Sequence, residues 1–274
     1  QEIYTLTATM DGGANSRAQI VLNGTNTTKE SFHWNEGDAF TLFQVPVQVE
    51  PGVYNGEITS HEFFISDAYS DNNPAATADF TTENPLTVGR KFKAFYPSPV
   101  MDEGVDNEFH LTLNNTLKDN TDESWIKYFK ENMFMVADGS ITETMGVSGL
   151  TFNHLCGIIR VTYHNESKED RNISSIYVNG SWGTSYGYQL NDGGSIWESY
   201  GEGVHGISFQ EGATVLAGQS KNFYILFMDS REPEENKLPL SNVRVLYSDK
   251  TEKRTSEYSK ELPLFKPGKC YWLN

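Results

Sequence analysis

The opening residues alternate strictly between apolar and polar side chains, and this alternation constrains the fold more than any other feature. Residues 3–10 read Ile-Tyr-Thr-Leu-Thr-Ala-Thr-Met, so Tyr, Leu, Ala and Met share one face and three threonines share the other. A period of two places alternate side chains on opposite faces of a β-strand. We therefore predict a half-buried strand at 3–10, which Asp11-Gly12-Gly13 ends.

Short patterns of the same kind recur along the chain and predict an all-β protein. Further strands are predicted at 18–22, 39–45, 76–80, 92–96, 109–113, 150–164, 173–179, 204–209, 222–228, 243–248 and 269–273. The run from Phe152 to Tyr163 reads as one long central strand. Aromatic residues make up 13% of the sequence, and they fit the pleated surface of a sheet.

One segment has helical rather than strand periodicity. Trp125 and Phe129 are four residues apart, and Met133 continues the apolar stripe. Thr121 or Asp122 is suited to the N-terminal cap. These features predict a short helix at about 122–132 that packs on a sheet.

The chain is long enough for one large or two modest domains. Residues 138–149 are mostly small and polar, which is typical of a linker. We predict an N-terminal β-sandwich domain at 1–146 and a C-terminal β-sandwich domain at 147–274. A single large sandwich is the alternative.

The charge of the chain excludes some classes of partner. Lys and Arg total 21 and Asp and Glu total 37, giving a formal net charge of −16. A field of this sign repels phosphate groups, so nucleic acid and anionic lipid surfaces are not expected partners. No signal peptide is present, although removal of an upstream secretion signal or lipidated cysteine would be compatible with the sequence.

No catalytic or metal-binding motif is complete, so we expect no enzyme activity, no cofactor and no metal. His61-Glu62 begins like the HExxH pattern of zinc proteases, but Ile65 stands where the second histidine would be. Glu36 and Asp38 read as turn residues rather than a catalytic carboxylate pair.

The region 179–206 is rich in glycine and in aromatic residues, which suits either a ligand surface or a packed core. Aromatic rings on loops can stack on sugars or anchor a protein partner. The candidate ligand-contact residues are Trp182, Tyr186, Tyr188, Trp197 and Tyr200. The alternative is that Tyr188 and Trp197 pack in the core of the second domain while the glycines form hairpins.

Several segments, in their order and spacing, resemble the fimbrillin-like family of Bacteroidetes surface proteins. They are Ser-Arg-Ala-Gln-Ile (16–20), Trp-Asn-Glu-Gly-Asp (34–38) with Phe-Thr-Leu-Phe (40–43), Ala-Asp-Phe (78–80), Leu86 and Gly89 before Phe-Tyr-Pro (95–97), Leu-Thr-Phe-Asn-His-Leu (150–155) with Ile-Ile-Arg-Val (158–161), Leu-Ala-Gly (216–218) with Phe-Tyr-Ile-Leu (223–226), and Gly-Lys-Cys-Tyr-Trp-Leu (268–273).

The resemblance implies a fold and a function. It implies two stacked transthyretin-like β-sandwich domains, to which the helical periodicity adds one short helix. It also implies an exported outer-membrane lipoprotein at the cell surface, attached through a lipid anchor upstream of this chain. The expected role is cell adhesion in a fimbria or pilus, with other pilin-type subunits and a host or bacterial surface protein or glycan as partners. A carbohydrate-binding surface lipoprotein, using the aromatic residues of 179–206, is the alternative.

The resemblance also assigns a candidate role to Arg17. Pilins of this family are matured by a trypsin-like protease just after the first strand, and Arg17 stands at the matching place. Loss of strand 3–10 would leave a groove for a strand of another subunit. An ordinary turn arginine is the alternative. The sequence has no spare donor strand after 269–273, which favours a tip-like subunit.

Overall fold

A computed structural model describes residues 4–10, 34–67, 75, 77–101, 107–142, 149–180, 182–200, 203–229, 242–254 and 270–273, with backbone alone at 197–200, 203, 204, 229 and 270–273. The regular structure in these ranges is nearly all β-strand with one α-helix, so the prediction of an all-β protein is confirmed. Within the same ranges, no helix is both long and apolar enough to cross a membrane.

The chain divides into two compact units whose segments alternate along the sequence. The first unit comprises Gln1–Thr112, Phe129–Leu155 and Tyr186–Glu198, and the second comprises the remaining segments. The predicted division at a single boundary, into 1–146 and 147–274, stays a prediction.

Most strands of the first unit belong to one sheet that closes on itself. The strands that lie wholly or mostly in this unit are β1 (Tyr4–Met10), β2 (Ala39–Val45), β3 (Val47–Glu50), β4 (Val53–Asn55), β5 (Thr59–Ile65), β6 (Thr77–Thr82), β7 (Lys91–Tyr96), β8 (Glu108–Thr112), β10 (Met135–Ser140), β11 (Leu150–His154), β15 (Ser185–Gln189) and β16 (Ser195–Tyr200). The closed sheet has the order β1-β11-β10-β7-β2-β5-β6. Strands β3 and β4 form a separate hairpin, and β16, β15 and β8 form a three-stranded sheet.

Strand β1 closes this sheet because it is paired on both sides. It runs antiparallel to β6 and parallel to β11. A β-sandwich was predicted for this part of the chain, and the closure through β1 is a difference from that prediction. Alternation assigns the two faces of a strand, but it does not identify the strands that lie beside it.

The second unit contains two open sheets. Its strands are β9 (Thr116–Leu117), β12 (Cys156–His164), β13 (Arg171–Gly180), β14 (Trp182–Gly183), β17 (Gly203–Val215), β18 (Ser220–Asp229), β19 (Val243–Tyr247), β20 (Glu252–Arg254) and β21 (Cys270–Leu273). One sheet has the order β14-β18-β12-β21 and the other β20-β19-β13-β17-β9.

The long central strand predicted from Phe152 to Tyr163 is two strands. The break falls at Leu155, whose backbone N–H donates to the carbonyl of Phe134 at 2.9 Å. On one side of the break β11 joins the closed sheet, and on the other β12 joins β18 and β21. Both halves are apolar and alternate, so periodicity gave no signal for the break.

The helix α1 (Asp122–Asn132) has the predicted bounds. The backbone N–H of Ser124 donates to Oγ1 of Thr121 at 3.4 Å, which is the arrangement of an N-terminal cap. Trp125, Phe129 and Met133 are all buried. Trp125 packs edge-on against Phe209 of β17 and Tyr224 of β18, so the helix packs on strands as predicted.

The predicted linker at 138–149 is wrong at its start. Residues 138–140 belong to β10, where Asp138 pairs with Lys93 and Gly139 pairs with Phe92 of β7. A Cβ at Gly139 would lie 3.0 Å from the ring of Phe92, so the glycine leaves room for an aromatic neighbour rather than marking a loop. Residues 143–148 lie outside the described part of the chain.

Candidate strand-exchange site at β1

Strand β1 buries one face and presents the other to solvent, as its alternation predicts. Leu6, Ala8 and Met10 are exposed to only 4%, 0% and 3%. The intervening threonines are exposed or half-buried. Burial of a leucine or methionine side chain contributes about 1.5–3 kcal/mol, so this short strand adds substantially to the core.

The contact with β6 extends over most of β1. Six residue pairs, from Tyr4 opposite Thr82 to Thr9 opposite Thr77, form the antiparallel ladder. On the outer face, Oγ1 of Thr7 donates to Oδ1 of Asp79 at 2.7 Å, and the hydroxyls of Thr9 and Thr77 are 3.0 Å apart. Both faces of β1 therefore contact β6.

The contact with β11 is shorter and parallel. Ala8 and Met10 lie opposite Leu150 and Phe152, respectively. Gly149 has a φ of +72°, and a Cβ there would lie 2.6 Å from the carbonyl oxygen of Thr7. A glycine just before β11 is thus needed for the backbone to approach β1 so closely.

Trp34 fixes β1 from inside the closed sheet. Its indole Nε1–H donates to the carbonyl oxygen of Ala8 at 3.2 Å, and the side chain has no exposed surface. The rings of Phe80, Tyr96 and Phe152 meet it edge-on, with centroids 4.9, 5.2 and 5.8 Å away. No local pattern in the sequence indicated this contact of Trp34 with Ala8.

Asp38 holds the turn that positions Trp34. Its Oδ2 accepts from the backbone N–H of Asn35 at 2.7 Å, and its Oδ1 accepts from the Tyr96 hydroxyl at 3.1 Å. Nζ of Lys130 is 3.5 Å from the same Oδ1. Burial raises the pKa of the Asp38 carboxyl, while these three partners partly offset that rise. Asp38 is therefore a structural turn residue.

Among the described strands, β1 is the one that lies between β6 and β11 and closes the sheet. Removal of β1 would uncover the apolar faces around Trp34. It would also leave N–H and C=O groups of β6 and β11 without partners, and such edges readily pair with another strand. The geometry is suited to replacement of one strand by another.

No family model and no curated protein matches the chain. A candidate cell adhesion protein of Bacteroides uniformis is similar, at 12% identity and a TM-score of 0.47, over 93% of this chain and 84% of its own. One from Bacteroides ovatus is 11% identical with a TM-score of 0.46, over 93% and 86%. The tip fimbrial protein Mfa3 of Porphyromonas gingivalis, truncated at its C-terminus, is 9% identical with a TM-score of 0.37, over 95% and 83%.

These three solved structures are of cell adhesion and fimbrial proteins.

Three of the five aromatic candidates of 179–206 are buried. Trp182, Tyr186 and Tyr188 are exposed to 4%, 5% and 1%, so little of each ring is open to a ligand in this structure, and their contact with a ligand stays a prediction. Their rings lie in the hydrophobic core. Trp182 contacts His205 and Phe227, with ring centroids 5.5 and 5.7 Å away.

Tyr188 packs between two phenylalanines of the first unit. Its ring meets Phe95 edge-on at 4.8 Å and stacks on Phe109 at 5.4 Å. Tyr188 is thus a core residue, as the alternative interpretation of the sequence held. The neighbours of its ring, however, belong to the first unit rather than a C-terminal domain. The side chains of Trp197 and Tyr200 lie outside the described part, as does Arg17.

Histidine and carboxylate groups do not converge on a metal site among the described residues. His61 is buried in β5, where Thr59 Oγ1 and His61 Nε2 are 3.2 Å apart. Burial lowers the pKa of His61. These contacts give His61 a structural role in the closed sheet.

Proposed function

We propose that the chain is a cell-surface adhesion or fimbrial subunit that assembles by exchange of β1. The observation that supports this most directly is that β1, among the described strands, lies between β6 and β11, with three buried side chains and a paired backbone on both sides. A strand from another subunit could replace it by pairing with the same two neighbours.

The proposed trigger is proteolytic cleavage after Arg17. In the sequence, Arg17 stands between β1 and Trp34, so a cut there would separate β1 covalently from the residues that hold it. Release would then depend on non-covalent contacts alone. A trypsin-like protease is the expected agent, because such enzymes cut after arginine.

The proposal includes the finer features that the sequence resemblance implies. The subunit would be exported as an outer-membrane lipoprotein, with a lipid anchor upstream of this chain. The chain would form two stacked transthyretin-like domains, at 1–146 and 147–274. The subunit would be tip-like, pairing with other pilin-type subunits and contacting a host or bacterial surface protein or glycan. The role is structural, because no complete catalytic motif is present in the sequence.

Limited proteolysis of the full chain tests this function. The wild-type protein and an Arg17→Gln variant would be treated with an arginine-specific protease, because trypsin would also cut after Lys29, and mass spectrometry would identify each cut. Size-exclusion chromatography and electron microscopy would follow assembly. We expect release of segment 1–17 from the wild type but not from the variant, and oligomers once a subunit that carries a donor strand is added.

The opposite result is equally clear. If segment 1–17 stays bound after the cut and the protein remains monomeric, strand exchange at β1 is not its mode of assembly.

A further inference from the structure

The inner face of β1 has one narrow position between two wide ones. Ala8 has no exposed surface, and its neighbours across the sheet are Ala78 on β6 and Leu150 on β11. Two residues away on either side, Leu6 lies opposite Phe80 and Met10 lies opposite Phe152. The side chains of this face therefore run large, small, large.

Trp34 accounts for the narrow position. Its indole N–H reaches the carbonyl oxygen of Ala8 at 3.2 Å, so the ring lies against the backbone at this residue. The edges of Phe80 and Phe152 close around the same ring, at centroid distances of 4.9 and 5.8 Å. All of these rings are fully buried and cannot move aside into solvent. A larger side chain in place of Ala8 would therefore meet a packed core.

The outer face of β1 adds a weaker preference, for hydroxyl side chains at positions 7 and 9. Thr7 donates a hydrogen bond to the carboxylate of Asp79, and Thr9 shares one with Thr77. A hydroxyl at either position would keep these contacts. Both lie at the surface, where such bonds contribute little, so the main discrimination is on the inner face.

We infer that the β1 site selects an incoming strand by size, and that Trp34 is the selecting residue. The strand that fits carries a small residue opposite Trp34, with a large apolar residue two positions before it and another two positions after it. In this chain, Leu6, Ala8 and Met10 supply that pattern. The inference rests on the proposed function, since it assigns the kind of strand that the exchanged site accepts.

A peptide-exchange experiment tests the selection. The full chain would be cut after Arg17 and incubated with fluorescent peptides of residues 1–10, and retention would be measured by size-exclusion chromatography. The peptides would carry the wild-type sequence, Ala8→Ser, Ala8→Leu or Thr5→Leu. The last is the matched control, because it adds a leucine at an exposed position of the same strand.

We expect the wild-type, Ala8→Ser and Thr5→Leu peptides to bind within about threefold of one another. The Ala8→Leu peptide should bind roughly 10- to 100-fold more weakly, which corresponds to the usual cost of overpacking a core. A Trp34→Phe chain should accept the Ala8→Leu peptide better than wild type does, relative to the unchanged peptide. Equal binding of the Ala8→Leu and wild-type peptides would overturn the inference.

Measurements on the uncut chain distinguish a failure of strand exchange from a failure of the size limit. If no peptide enters, strand replacement is refuted, and the size limit is judged from the melting temperatures of uncut Ala8→Leu and Thr5→Leu. A fall of several degrees for Ala8→Leu alone would show that the narrow position is real but serves only β1. Equal melting temperatures would refute the size limit as well.

Discussion

Trp34 combines, at the scale of one residue, packing and hydrogen bonding that hold β1 in place. It has no exposed surface, and its indole N–H satisfies a buried carbonyl of β1. Buried polar groups without partners are costly, so this bond matters more than its modest net strength suggests. The adjoining turn, with Gly37 at a φ of +75° and Asp38 buried, keeps the ring in position.

Replacing Trp34 with phenylalanine should destabilise the protein by about 2–4 kcal/mol, because volume and the bond to Ala8 are both lost. Denaturant unfolding measures the change. Phe64→Leu is the control, since Phe64 is 55% exposed, and it should change the unfolding free energy by less than about 0.5 kcal/mol. A Trp34→Phe protein as stable as the control would contradict the assigned role.

His205 should make the stability of the second unit depend on pH. The side chain is 3% exposed beside Trp182, and burial lowers its pKa while a backbone group of Trp182 partly offsets this. As the pH falls, the unfolded chain, whose histidine pKa is about 6.5, takes up a proton at a higher pH than the folded chain does. The stabilisation from neutral His205 is therefore present above about pH 6.5 and is lost as the pH falls below it.

The test compares unfolding free energies of wild type and His205→Gln between pH 8 and pH 5. The wild type should lose more stability over this range than the variant, by about 1.4 kcal/mol for each unit by which the pKa is lowered. His164→Gln, at an exposed position of β12, is the control and should follow the wild type. Parallel curves for wild type and His205→Gln would disprove the effect.

The strands and the helix, at the scale of single elements, were largely predictable from local patterns. The alternation around Leu6, Phe80 and Ile176 and the helical spacing of Trp125 and Phe129 each correspond to an element in the structure. Two features were not predictable. The break at Leu155 and the pairing of Gly139 with Phe92 depend on backbone partners distant in sequence, which periodicity does not report.

Truncation of the helix side chain Trp125 should destabilise the protein strongly. Trp125 is 2% exposed and meets Phe209 and Tyr224 edge-on, so Trp125→Ala removes a large buried ring and should cost about 3–5 kcal/mol. The neighbouring Ile126 is 41% exposed, and Ile126→Ala serves as the control with a change below about 1 kcal/mol. Chemical unfolding of both variants would show the difference, and similar losses would argue against packing of α1 through Trp125.

At the scale of the whole molecule, the chain divides into two compact units. Segments of each unit alternate along the chain, and no stretch of composition marks these crossings. The candidate site divides in the same way. Strand β1 could be predicted, whereas the contact of Trp34 with Ala8 and the burial of Trp182, Tyr186 and Tyr188 could not, because local composition does not reveal what packs on a ring.

The central claim is that loss of β1 opens the edges of β6 and β11 for a new strand. Hydrogen–deuterium exchange of the full chain, before and after cleavage at Arg17, measures this directly. We expect amides of β6 and β11 to be protected in the intact chain, to exchange rapidly once β1 is released, and to regain protection when a peptide of residues 1–10 is added. Amides in the β12–β18 ladder of the second unit should stay protected throughout. Unchanged protection of β6 and β11 after release of β1 would contradict the account.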